Sequence, residues 1–174
     1  MLFRSHYGAG VRSLEAHGGR GQNTFLVRST GPVTTIDAGR GTTAVTVGDP
    51  AHSLNAVSGV TVNGNGSTAL AVDDRNTPAP STNPLVLRDN VAFTLQAGDV
   101  TRTDRIGFLF PLPGDTVYTT DVRFGGVQAL TVFGGDSGNT FDVQGVADGT
   151  AVALYGGAGF DATTFDDKIG RAHV

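Results

Sequence analysis

Short runs of alternating apolar and polar residues recur along the chain. Because successive side chains on a β-strand point to opposite faces, such alternation predicts strands with one buried face. Turns rich in Gly, Asn or Asp follow most of the runs, and we find no segment with the 3.6-residue period of an amphipathic helix. The predicted strands are 23–27, 44–47, 60–62, 69–72, 91–95, 117–122, 130–132, 140–143 and 151–154.

A long internal repeat organises these strands. The segment VRSLEAHGGRGQNTFLV, residues 11–27, returns as VQALTVFGGDSGNTFDV, residues 127–143, with eight of 17 positions identical and no gap. The similarity continues into 38–49, AGRGTTAVTVGD, which matches 156–167, GGAGFDATTFDD. A period of 116 residues exceeds one supersecondary unit, so we interpret the chain as one large repeat and the start of the next.

The pattern predicts an all-β fold, a parallel β-helix or β-solenoid. Strands this short cannot bury a face alone, but stacked coils can line a common interior with Phe25, Ile36, Phe141 and their neighbours. We expect a single solenoid segment over 1–167, with copy one at about 10–125 and copy two at about 126–167. The Pro-containing segments 73–84 and 108–115 are expected to be loop excursions from the stack.

Composition supports a turn-rich β protein. The chain has 26 Gly among 174 residues, one Met and no Cys. A net charge of −4 with dispersed basic residues argues against nucleic acid as a partner. No apolar stretch is long enough to predict a membrane span. The terminal IGRAHV resembles a translated sequencing adapter, so residues 168–174 are expected to be a non-native tail.

The glycine-rich turns carry the one chemical signal. Five turns, starting at Gly18, Ala38, Asn63, Gly134 and Gly156, resemble the GGxGxDxUx nonapeptide of RTX-type calcium β-rolls. The sixth position, which ligates calcium in that family, is Asn23, Thr43, Thr68, Asn139 and Asp161 in turn. Only one is a carboxylate, and the turns are not consecutive, so we expect the calcium role to be eroded or absent. If a Ca²⁺ site survives, Asp136 and Asp161 are its predicted ligands.

The segments TTIDAGRGTTAVTVGD, AHSLNAVSGVTVNGNGSTALAVDD and TAVALYGGAGFD, with the repeated segment above, resemble the long Gly/Asn/Asp/Thr-rich repeats of very large surface or secreted bacterial proteins. The resemblance covers nearly the whole chain before residue 168 and implies a parallel β-helix that serves as a stalk or adhesive surface. It further implies a location outside the cell or on its surface. The implied partners are neighbouring repeats of the same chain, and surface glycans or proteins.

An enzymatic alternative is a carbohydrate-active β-helix of the lyase or glycosidase kind, in which carboxylates cluster on adjacent coils. The nearest charge groupings are Asp73-Asp74-Arg75 and the segment 99–105, DVTRTDR, which we interpret as solvated loops. The four His show no ligand spacing, and no catalytic motif is found. We therefore expect no catalysis. Convergence of Asp73, Asp74, Asp99, Asp104 and Asp121 on one concavity would favour the enzyme instead.

Overall fold

The regular secondary structure of the described residues is almost entirely β-strand. The computed structural model describes residues 11–31, 33–77, 86–108 and 114–166. Apart from the strands, the described residues form one short 3-10 helix, Leu54–Ala56. The twelve strands are β1 (Ser13–His17), β2 (Asn23–Val27), β3 (Val33–Asp37), β4 (Thr43–Gly48), β5 (Gly59–Asp73), β6 (Val86–Arg88), β7 (Val91–Gln96), β8 (Asp99–Phe108), β9 (Gly114–Phe133), β10 (Asn139–Val143), β11 (Ala151–Tyr155) and β12 (Ala162–Phe165).

The strands pair in two ladders that β5 and β9 join into one mixed sheet. The first ladder runs β1, β3, β5, β9, β8, β7, β10, β12 and is parallel except at β8, which is antiparallel to both neighbours. The second ladder runs β2, β4, β5, β9, β11 and is parallel throughout. Strand β6 pairs antiparallel with β8. Successive strands along the chain alternate between the ladders from β1 to β5 and again from β9 to β12.

Glycines let the two longest strands pass from one ladder to the other. Strand β5 pairs in the first ladder up to Asn63 and in the second from Thr68, with a register shift between them. Gly126, where β9 makes the same change, has φ +63°, and a Cβ at Gly64 would clash with the carbonyl oxygen of Gly126. The turns therefore stack closely because neither carries a side chain at this point.

Side chains from both ladders meet in one hydrophobic core. The first ladder contributes the row Thr34, Val60, Val122 and Val100, and the second contributes the row Phe25, Val45, Leu70 and Leu130. Rings of Phe93 on β7 and Phe141 on β10 stack with centroids 5.1 Å apart. Each fully buried large apolar side chain contributes about 1.5–3 kcal/mol. The paired strands are therefore held together by rows of matching side chains that share one core.

The all-β prediction is confirmed, and all nine predicted strands lie within observed strands. The sequence reading missed β1, β3, β6, β8 and β12. It expected a purely parallel arrangement, whereas β7, β8 and the first half of β9 form an antiparallel meander within the first ladder.

The predicted excursions are only partly loops. In 73–84, Asp73, Asp74 and Thr77 are buried, so this end of the segment is not a solvated polar loop, and 78–85 lie outside the described residues. In 108–115, Phe108 pairs with Gly114 as β8 and β9 meet, and 109–113 lie outside the described residues. The predicted tail, 168–174, also lies outside them.

Candidate functional site

The outer face of the first ladder carries a group of charged side chains where β5, β9 and β8 run side by side. Val60, Val122 and Val100 are directly paired and point into the core. Because side chains alternate along a strand, the next positions, Thr61, Arg123 and Asp99, point outward. Asp121, two residues before Arg123, lies on the same face. The alternation thus gathers two carboxylates and one guanidinium from adjacent strands.

The two carboxyl groups contact each other. An Nη2 of Arg123 lies 2.9 Å from Oδ2 of Asp121, and the Thr101 hydroxyl donates to Oδ2 of Asp99 at 3.2 Å. Oδ1 of Asp99 is buried and receives no hydrogen bond from a described group. Burial, followed by the contact with Asp121, raises the pKa of Asp99 to about 6. The pair can therefore hold one proton between two carboxyl groups in mildly acidic solution.

A shallow groove adjoins this pair. Its volume is about 260 Å³, and Val33, Ser58, Thr61, Asp121 and Arg123 are among its lining residues. The lining combines hydroxyl groups, one carboxylate and one guanidinium, which can hydrogen-bond a polar ligand. Asp99 is not part of the lining but lies next to Asp121.

A second charged cluster is completely buried between the ladders. Arg102, Asp74 and Asp104 each have fully buried side chains. An Nη2 of Arg102 lies 2.9 Å from Oδ2 of Asp74 and 3.3 Å from Oδ2 of Asp104, and it donates to the Thr77 hydroxyl at 3.0 Å. Asn55 accepts a bond from Arg102 and donates to Oδ2 of Asp104 at 3.1 Å. Burial raises the pKa of Asp74, and the positive charge of Arg102 opposes that rise.

This buried cluster corrects the sequence reading. The sequence predicts solvated loops at Asp73-Asp74-Arg75 and over 99–105, but this prediction is wrong for Asp74, which is buried, and for 99–105, which is part of β8 with Arg102 and Asp104 in the core. The cluster connects the end of β5, the loop before it and β8, so it fixes how the meander packs on the rest of the sheet. Its side chains are out of reach of a substrate, and we assign it a structural role.

A third polar cluster closes the loop after β4. Oδ2 of Asp49 lies 2.5 Å from Nε of Arg28, and Oδ1 lies 2.8 Å from Nδ1 of His52 and 2.7 Å from the amide nitrogen of Ala51. Although burial alone would raise it, these hydrogen bonds lower the pKa of Asp49 to about 2. The carboxylate thereby links the segment just after β2 to the loop after β4.

The two predicted calcium ligands lie on stacked turns. Oδ1 of Asp161 accepts hydrogen bonds from the backbone amide and the side-chain amide of Asn139, at 2.9 and 2.8 Å. Oδ1 of Asp136 accepts from the amide of Ala158 at 3.1 Å. Across the described ranges, no group of three or more His, Asp or Glu is arranged to hold a metal ion. The calcium role of Asp136 and Asp161 stays a prediction.

The other nonapeptide-like turns are held by side-chain amides and hydroxyls. Asn23 donates from Nδ2 to the Thr43 hydroxyl at 3.2 Å, and Thr43 donates to the carbonyl of Ala38 at 2.8 Å. Asn65 donates to the carbonyls of Gly39 and Gly41 in the turn between β3 and β4, at 2.9 and 2.7 Å. Side chains thus donate hydrogen bonds to turn carbonyl oxygens of the kind that coordinate the ion in a calcium-binding repeat.

The five carboxylates singled out from the sequence do not converge on one concavity. Asp74 and Asp104 belong to the buried cluster, Asp99 and Asp121 to the outer face, and Asp73 pairs with Arg75, whose Nη2 lies 2.6 Å from its Oδ2. The sequence reading missed the contact between Asp99 and Asp121. Placing DVTRTDR as a strand antiparallel to 117–122 could have revealed it, because both residues then fall on the outer side.

Comparisons with protein-family models, curated proteins and solved structures find no match to this chain. No helix among the described residues is long and apolar enough to cross a membrane.

Proposed function

We propose that this chain is a β-solenoid segment of a large secreted or cell-surface protein, with a structural or adhesive role and no catalysis. The observation that carries the proposal is the coil-by-coil stacking of strand–turn–strand units. From β1–β2 to β3–β4 to β5, each unit places its first strand in the first ladder and its second strand in the second ladder, in parallel register. An array of this kind grows by adding further units without changing its core.

The internal repeat supports this proposal. Copy one begins with β1 and β2, and copy two begins with the second half of β9 and with β10, so Phe25 and Phe141 are equivalent. Copy one starts in the first ladder, whereas copy two starts in the second. The same sequence pattern therefore forms paired strands in either ladder. The meander of β7, β8 and β9 is then an insertion into the rod.

The outer face of the second ladder fits an adhesive role. Its outward positions in two adjacent rows carry small or uncharged side chains, in contrast to the charged outer face of the first ladder. The rows are Thr24, Ala44, Ala69, Ala129 and Ala151, and Leu26, Thr46, Ala71, Thr131 and Ala153. Such an uncharged surface can pack against glycans or proteins at the cell surface without desolvating charges.

The carbohydrate-active alternative has one observation in its favour, the carboxyl pair of Asp99 and Asp121 beside the groove. The raised pKa of Asp99 would suit a general acid. However, glycosidases hold their two carboxyl groups at least about 5 Å apart so that a sugar bond fits between them. Asp99 and Asp121 instead contact each other. The rod is therefore the better-supported function.

Immunogold labelling of producing cells with antibodies raised against this chain tests the proposal. We expect label on filaments or layers at the outer surface, and loss of label when intact cells are treated with protease. Label confined to the cytoplasm would contradict it. To test the enzymatic alternative, the chain and its Asp99→Asn variant are incubated with a panel of polysaccharides. Cleavage by the parent chain that the variant lacks would favour that alternative.

A further inference from the structure

The groove on the outer face of the first ladder is a gap in a row of side chains. Val33, Gly59 and Asp121 occupy neighbouring outward positions on β3, β5 and β9. Val33 is 70% exposed and forms an apolar wall. A Cβ on Gly59 would meet only the carbonyl oxygen of Asp121, at 3.6 Å, which is an ordinary contact. The space above Gly59 is therefore open to a ligand.

The wall opposite Val33 offers a hydrogen-bond acceptor beside a donor. Nη2 of Arg123 lies 2.9 Å from Oδ2 of Asp121, and the Arg123 side chain is 71% exposed. A guanidinium has several N–H donors and a carboxylate several acceptor sites, so both groups can bind a further partner while they stay paired. A ligand group in the groove can therefore donate to the carboxylate and accept from the guanidinium.

A hydroxyl group at the rim is left with a proton to donate. The Thr30 hydroxyl accepts hydrogen bonds from the backbone amides of Ser58 and Gly59, at 2.8 and 3.4 Å. Because these bonds occupy its lone pairs, Thr30 donates its own proton to Oγ of Ser58, 3.1 Å away. The Ser58 proton is then available to another acceptor. Since Ser58 lines the groove, that acceptor can be a ligand oxygen.

The charges around the groove disfavour an ionic ligand. An anion would meet Asp121, with Asp99 in contact behind it, and a cation would meet the guanidinium of Arg123. The alcohol groups of a neutral polyol both donate and accept, so they match a wall that carries an acceptor and a donor side by side. Val33 can cover the C–H groups of a ring. These are the requirements of a neutral sugar.

We infer that the groove binds a neutral saccharide unit, with the sugar hydroxyls bonded to Asp121, Arg123 and Ser58 and the sugar ring packed on Val33 above Gly59. The inference rests on the proposed adhesive role and adds a ligand class to it. The groove is shallow and takes one sugar unit, so a single site binds with a dissociation constant on the order of millimolar.

Titration of the whole isotope-labelled chain with methyl glycosides, followed by NMR of the backbone amides, tests the inference. The panel contains the methyl glycosides of glucose, galactose and mannose, with a methyl glucuronide as the acidic arm and a methyl glucosaminide as the basic arm. We expect saturable shifts at the amides of Ser58, Gly59, Thr61 and Arg123 with a neutral glycoside. Both charged sugars should bind at least about tenfold more weakly.

Filling the groove tests its shape. Gly59→Val places a β-branched side chain on β5 at a glycine whose φ is not positive and whose Cβ has room, so the strand should tolerate it. Sugar binding should be lost while the amide spectrum stays that of a folded chain. The matched control is Gly125→Val, which adds the same side chain on β9 where a Cβ meets nothing within 4 Å. This control should leave binding unchanged.

Two further variants test the charged wall without adding bulk. Asp121→Asn and Arg123→Gln should each weaken binding at least about tenfold, because each removes a hydrogen bond to a charged group. The matched controls are Asp115→Asn and Arg105→Gln, which change the exposed ion pair further along β8 and β9. Both controls should bind like the parent chain.

Three results would overturn the inference. They are the absence of saturable shifts at the groove amides with every neutral glycoside, tighter binding of either charged sugar, and an equal loss of binding in the control variants. None of these results would affect the proposed rod, whose location at the cell surface is tested separately by the immunogold labelling. Label confined to the cytoplasm would contradict the rod without changing the sugar titration, so the two failures are distinguishable.

Discussion

Replacing Arg102 tests whether the buried ion cluster holds the meander on the coils. The guanidinium has no exposed surface and contacts Asp74, Asp104, Thr77 and Asn55. Arg102→Ala removes the cation from two fully buried carboxylates, and breaking a buried pair in this way costs about 3–5 kcal/mol. Domains of this kind have a total unfolding free energy of about 5–15 kcal/mol. The variant should therefore lose a large share of its stability.

The matched control is Arg105→Ala, three positions further along the same strand. Arg105 is 56% exposed, and its Nε lies 3.7 Å from Oδ2 of Asp115, so this change should cost about 0–1 kcal/mol. Urea unfolding followed by circular dichroism measures both variants against the parent chain. If Arg102→Ala cost no more than Arg105→Ala, the cluster would not stabilise the fold and the reasoning would be refuted.

Three further changes probe other parts of the molecule. Because the pKa of Asp99 is raised, its contribution to the free energy of unfolding is present below about pH 4 and is lost as the pH rises through about 6. Asp99→Asn should flatten that fall in stability and raise the urea midpoint at pH 7. An unchanged pH profile of stability would contradict this. Because the pKa of Asp49 is lowered, its contribution to the free energy of unfolding is present above about pH 4 and is lost toward pH 2. Asp49→Asn should therefore lower the urea midpoint at pH 7 but not near pH 2. An equal loss at both pH values would count against the ionic bonds of Asp49. Gly64→Ala should lower the free energy of unfolding by more than about 2 kcal/mol, because the new Cβ meets the carbonyl oxygen of Gly126. In the control Gly21→Ala the new Cβ meets nothing within 4 Å, so the change should stay within about 1 kcal/mol. Thermal melts of both variants measure the difference.

The sequence predicted strands where the inward positions are large and apolar, and it failed where they are not. Strand β8 turns Val100, Arg102 and Asp104 inward in succession, so its alternation is hidden by two charges at core positions. Strand β1 was missed because its inward residues, Leu14 and Ala16, include only one large side chain. The charges on β8 are tolerated because Asp74, distant in sequence, completes the ion cluster. A pairing of that kind depends on tertiary packing, which local patterns do not encode.

The repeat also shows why equivalent residues can have different neighbours. Phe25 and Phe141 are equivalent in sequence and both are buried, but Phe25 pairs with Val45 in the second ladder, whereas Phe141 pairs with Phe93 in the first. The difference follows from the alternation of strands between ladders, because copy two starts on the opposite side of the core from copy one. The equivalent turn residues Thr43 and Asp161 also differ in their bonds, because Asp161 accepts two hydrogen bonds from Asn139, whereas Thr43 accepts one from Asn23.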